Sequence, residues 1–247
     1  MPKQSGLGQR LYVAGFDLSG DVGVIDTLGS ANNLLNVRGI DKLAEERIIG
    51  RRTGQLSFTA FFNDADDQEH DALKGLPATD VLALWLMSVT RGDACAALTA
   101  KQANYDMSLG ADSSLTFKVD LQGTAGFFLE YGVILVAKIT HSSETDETAH
   151  DQGGASSDGA VGFLQHFEDT SPTGTIEYDI EDSSDNLAFG NLIAFNDVAT
   201  PYAAYTERKS VDGEVLQHLR ASTNGTFTDA PFSMGIRIRQ ALEVDAA

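Results

Sequence analysis

Residues Thr175–Asp182, TIEYDIED, alternate apolar and acidic side chains without a break: Ile176, Tyr178 and Ile180 fall on one side, Glu177, Asp179 and Glu181 on the other. A period of two places each set on one face of a β-strand, and no helix satisfies it. The alternation recurs in Gln55–Phe62 (QLSFTAFF), where Leu56, Phe58, Ala60 and Phe62 share a face, and in Leu115–Leu121. It returns in Phe232–Arg239, where Met234, Ile236 and Ile238 point inward and Arg237 and Arg239 outward, across from the acidic strand face. Asp80–Val89 (DVLALWLMSV) is apolar nearly throughout, as expected of a strand covered on both faces, with Trp85 as its large anchor. Gly, Asn, Asp and Ser punctuate these runs as turn residues. The expected fold class is therefore mainly β with one short helix. That helix is Asp67–Leu76, capped by Asp66 or Asp67 and ended by Gly75 and Pro77.

The chain divides at His141–Gly159 (HSSETDETAHDQGGASSDG), which has almost no apolar side chains to offset the cost of ordering. The expected organisation is a first β-sandwich or barrel domain over 1–139, a flexible linker over 140–159 and a C-terminal β-sandwich over 160–247. Short strands with turn signals about every ten residues describe the last of these.

Charge bounds the partners. Seventeen Lys plus Arg stand against 36 Asp plus Glu, a formal net charge of −19. Such a surface repels nucleic acid and anionic membranes. The acidity fits adaptation to high salt, where the Debye length falls to about 3 Å at 1 M and self-repulsion is screened. It also fits a negative channel lining past which DNA slides, and an ordinary acidic protein is a third reading; a halophilic source is favoured. No apolar run approaches the roughly 18–20 residues of a membrane span, and the first residues lack a signal-peptide core, so a soluble protein is expected.

Against that background Asn36–Gly54 (NVRGIDKLAEERIIGRRTG) stands out, because it gathers Arg38, Lys42, Arg47, Arg51 and Arg52. Its centre reads either as a helical turn or two, with Asp41 at the cap and Gly50 as the stop, or as a long loop. Its natural partners are the acidic surfaces of other copies; a locally salt-bridged loop is the plainer reading.

Catalytic and metal motifs are not found. Asp17, Asp21 and Asp26 miss the spacing of a calcium loop, and His70 has no second histidine at zinc-protease spacing. GASSDG carries Asp158 where a nucleophile elbow needs glycine, and Cys95 is a single, buried thiol. No cofactor is expected, and the chain is not read as an enzyme.

Three stretches of the first half carry a family likeness: LYVAGFDLSGDVGVIDTLGS, GQLSFTAFFNDADDQEHDAL and AKQANYDMSLGADSSLTFKVDLQG. Together they resemble the major tail-tube proteins of long-tailed, siphovirus-type viruses. The resemblance implies a structural virion protein that forms hexameric rings, with β-sheets of neighbours joined into one inner barrel. Stacked rings would form the tail tube, through which viral DNA passes without specific binding. Other tail proteins would be its further partners, and assembly would take place in the host cytoplasm. Family members reach the next ring with a long loop early in the fold, which assigns Arg38, Lys42, Arg47, Arg51 and Arg52 to inter-ring contacts. The C-terminal sandwich would face outward, with Tyr202 and Tyr205 as surface contacts for a ligand such as carbohydrate. The alternative readings are a free-standing β-rich binding protein and another virion component, such as a decoration protein.

Overall fold

The computed structural model describes residues 6–124, 126–169, 173–200 and 202–240. The outer ends of both expected domains, 1–5 and 241–247, lie outside this range. The first half carries β1 (Arg10–Val13), β2 (Phe16–Asp17), β3 (Val22–Asn36), β4 (Arg47–Phe61), the helix α1 (Glu69–Leu73), β5 (Val81–Leu86), β6 (Ala94–Gln102), β7 (Asp106–Leu109), β8 (Leu115–Gly123) and β9 (Glu130–His141). The second half adds β10 (Thr145–Asp146), β11 (His150–Asp151), β12 (Ala160–His166), β13 (Gly174–Ser183), β14 (Gly190–Ala194), β15 (Val198–Ala199), β16 (Tyr205–Val211), β17 (His218–Phe227) and β18 (Ala230–Ile238). The fold is mainly β with one short helix among the described residues.

The larger sheet runs β16-β12-β18-β9-β6-β5-β1-β2 and forks at β6. Ala94–Ala97 of β6 pair with β9, whereas Ala100–Gln102 further along pair with β8. From β8 the branch continues to β4 and then β3, and β7 lies on β8 beyond β6. The smaller sheet places β17 and β13 at its centre, with β14 and β15 on β13 and β10 and β11 on β17.

Side-chain alternation then fills three cores. Val81 and Ala83 of β5 join Leu56 and Phe58 of β4 and Val119 and Leu121 of β8 inside the curled branch. The opposite face of β5, Leu82, Leu84 and Leu86, packs on Val161 and Phe163 of β12. The other face of β12, with Ala160 and Leu164, meets Ile176, Tyr178 and Ile180 of the smaller sheet. The two-sided apolar run of β5 and the apolar face of β13 are thus placed as their patterns require, but Asp179, expected outward on β13, is buried and accepts from the Asn191 and Asn224 amides at 2.8 and 3.0 Å. The middle layer, β12 and β18, is buried on both faces and carries strands from beyond residue 159 into the sheet begun before residue 139.

Residues 140–159, expected as a linker, carry β10 and β11 on the edge of β17, where backbone pairing needs no apolar side chains. Glu147 also bonds Arg91 at 2.7 Å and His141 at 3.0 Å. Helix α1 begins after Gln68, not at the expected aspartates; the carboxylate of buried Asp21 accepts the Glu69 N–H at 3.2 Å. Arg237 does not point outward. It is buried and bonds Glu130 at 2.9 Å, while Arg220 takes the partner expected for it, pairing Glu181 at 2.6 Å.

Candidate assembly surface

Strands β3 and β4 are each 15 residues long and pair with one another from Val22↔Ala60 to Asn36↔Arg47. The root of this hairpin belongs to the sheet, because β8 pairs with Gln55–Phe61 and buries Leu56, Phe58 and Ala60. Beyond Gly54 no third strand joins among the described residues, and residues 30–54 continue as a two-stranded arm. The helical turn expected over 41–50 does not form: residues 37–46 are a loop, as the alternative reading had it, and Arg47–Gly50 belong to β4. A helix this short is marginal alone, whereas the ladder Leu34↔Ile49, Leu35↔Ile48 and Asn36↔Arg47 runs up to the loop and is closed by the Val37 N–H on the Glu46 carbonyl at 2.9 Å.

Two contacts fix the arm where it leaves the body. A Cβ on Gly54 would stand 2.5 Å from a Leu98 methyl and 2.8 Å from the Leu129 nitrogen, so only glycine allows this close approach. The Ser30 hydroxyl accepts the Leu129 N–H at 2.9 Å, and the Arg52 guanidinium lies 4.3 Å from the Phe128 ring centre.

Further out the arm is exposed on every side. Ile40 and Leu43 at the tip project fully into solvent, and Leu34, Leu35, Val37, Ile48 and Ile49 are exposed along the ladder. Among the five cations expected at contacts between rings, Arg47 pairs with Glu45, and Lys42 with Glu46 at 3.5 Å. Arg38 and Arg51 have no ion-pair partner among the described residues. Exposed pairs of this kind contribute little, so the arm's geometry does not depend on them. Residues 36–54 hold five bases (Arg38, Lys42, Arg47, Arg51, Arg52) against three acids (Asp41, Glu45, Glu46), a net +2 that leaves −21 on the rest of the chain.

The branch that carries the arm has two open edges. Among the described residues β3 pairs only with β4, and β7 only with β8. β7 is exposed throughout, with Met107 67% and Leu109 70% accessible. The registers place Gln55, Ser57 and Thr59 of β4 beside Gln122, Asp120 and Lys118 of β8, and Lys118 beside Asp106 of β7. This is the face opposite the core, and it is mostly polar, with Ser57 buried and Phe61 exposed at its end.

The tyrosines expected as ligand contacts lie apart from this surface and from one another's role. Tyr202 is 1% exposed and donates to the Thr173 carbonyl at 3.2 Å, with His166 against its ring; it is a core residue, not a surface platform. Tyr205 is half-buried, donating to Glu207 at 3.0 Å. The apolar residues of the arm were not read from the sequence as contacts. Their signal is the doublets Leu34-Leu35 and Ile48-Ile49, since adjacent apolar residues in one strand must face opposite ways.

No protein-family model matches the chain, and no curated protein matches it. Among solved structures, the Dit protein of phage SPP1, described as a paradigm of the hub adsorption apparatus in phages infecting Gram-positive bacteria, is 11% identical, with 93% of this chain and 99% of that one covered and a TM-score of 0.31. A chain of the phage p2 baseplate in its activated conformation with Sr is 9% identical over 94% of this chain and 98% of that one, at a TM-score of 0.34.

Proposed function

We propose that the protein is a structural component of a viral tail that assembles with copies of itself into hexameric rings, and that these stack into a tube carrying DNA. The observation that carries the reading is the arm. A two-stranded ribbon is marginal in water by itself, and one that exposes seven large apolar residues with a net positive charge, in a chain of net charge −19, is built for a surface supplied by something else. Another copy of the chain supplies the opposite charge in abundance. A contact between the arm of one copy and a different surface of the next is heterologous, and repeats into a filament.

The two open edges suit lateral joining. Edge strands present unpaired backbone groups, and closing copies into a ring pairs β3 of one with β7 of its neighbour. The polar face of β4, β8 and β7 would then turn towards the lumen, where hydroxyls, amides and carboxylates surround Lys118, which pairs across from Asp106, and offer DNA little basic grip.

Negative-stain electron microscopy of the purified full chain, in low and in multimolar salt, tests this. Hollow tubes or stacked rings support it, and Arg47→Glu/Arg51→Glu/Arg52→Glu should leave isolated rings. Monodisperse single copies in every condition, or normal tubes from the triple variant, would overturn it.

A further inference from the structure

We infer that the arm is clasped on both faces at once, by two different copies of the chain, an inference that rests on the arm being the contact between copies. The register carries it. Leu34 pairs with Ile49 and Leu35 with Ile48. Successive side chains of a strand point to opposite faces, so these two apolar pairs lie back to back through a ribbon one layer thick. Leu34 and Ile49 are 55% and 70% exposed; Leu35 and Ile48 are 45% and 51% exposed. A strand pair with one wet face alternates apolar and polar residues; at this level of the arm neither face is polar. A partner that covered one face would leave an apolar pair in water on the other.

One copy does not hold such a slot in its described grooves. Those of about 530 and 370 Å³ are the size of small-molecule pockets, not of a slot for a two-stranded arm; the larger sets Arg10, Arg91 and Lys138 against Asp17 alone, the wrong sign for a +2 arm. A slot with two walls arises where two copies stand side by side, and the −21 borne outside residues 36–54 makes those walls complementary. The arm therefore reads the seam between neighbours. A lone copy offers it one wall, so lateral joining precedes stacking.

The test places a photoreactive benzoylphenylalanine at position 34, at position 35, or at both, in full-length protein diluted into a large excess of unmodified chain. After assembly and irradiation, each single site should give a two-chain product on a denaturing gel, and the double site a three-chain product. Only two-chain products from the double site, or crosslinking from one face alone, would overturn the clasp. Leu34→Asp/Ile49→Asp and Leu35→Asp/Ile48→Asp should each abolish tubes without changing the thermal melt of the body; tubes from either variant would overturn it too. If Arg47→Glu/Arg51→Glu/Arg52→Glu blocks stacking while the double site yields two-chain products, the clasp fails and the arm's role stands. If the unmodified protein makes no assembly at all, both fall.

Discussion

The side-chain amide of Gln165 accepts the backbone N–H of Gly15 at 2.9 Å, joining two residues 150 positions apart in the chain. The same amide donates to the Leu82 carbonyl at 2.8 Å, so one fully buried side chain of β12 satisfies the turn after β1 and the backbone of β5. Gly15 suits this approach, with φ at +85° and a Cβ position only 2.7 Å from the His166 carbonyl oxygen. Gln165→Met keeps the shape and removes both bonds. The Gly15 N–H then lacks a partner, whereas the Leu82 carbonyl keeps the Ala14 N–H at 3.1 Å, and a loss of about 1–3 kcal/mol is expected. The urea midpoint of the purified variant checks it; an unchanged midpoint would show that the clasp contributes nothing.

Glu130 on β9 is buried between two guanidinium groups, with Arg208 at 2.6 Å and Arg237 at 2.9 Å. The Phe127 ring lies 4.1 Å from the Arg208 guanidinium. Glu130→Gln removes the charge that both arginines face and should cost about 3–5 kcal/mol, the usual penalty for stranding a buried charge. Equilibrium unfolding is the measurement.

Glu69, fully buried at the start of α1, has its pKa pushed up to about 7 by burial, against the opposing bond from the Tyr105 hydroxyl at 3.0 Å. A carboxyl whose folded pKa lies above its unfolded value holds its proton more tightly when folded. Stability then falls as pH rises from about 4.5 to about 7 and stays lower above that. His166, pressed down to about 4 by burial, acts oppositely, losing stability as pH falls from 6.5 through 4. The difference between wild type and Glu69→Gln isolates the first effect. Melting temperatures from pH 5 to pH 8 should fall for wild type relative to the variant; parallel curves would refute it.

Met107 and Leu109 project from the open β7 edge, whereas the arm's contacts lie at the far end of β3 and β4. Met107→Lys/Leu109→Lys should therefore leave single copies, since charge on an edge blocks strand addition. The arm charge-reversal variant should stop instead at rings. Sedimentation velocity separates the two outcomes.

Several strands were legible in the residues alone. Ile176, Tyr178 and Ile180 are buried as their period of two requires, as are Leu56, Phe58 and Ala60, and the unbroken apolar run of β5 is covered on both faces. These are properties of a strand and its own side chains. The helix was legible too, but not its cap, because Asp21 reaches it from 48 positions away. The burial of Arg237 beside Glu130 and of Tyr202 in the core was equally hidden, since both depend on which strand lies alongside. The arm's exposure belongs to the same class: Leu34, Leu35, Ile48 and Ile49 read locally like any strand residues, and only the absence of a third strand beyond Gly54 among the described residues leaves them in water. Alternation along a strand is local, so the sequence determined which residues share a face. Which edges are paired follows from closing distant segments against one another, and that only the tertiary structure decided.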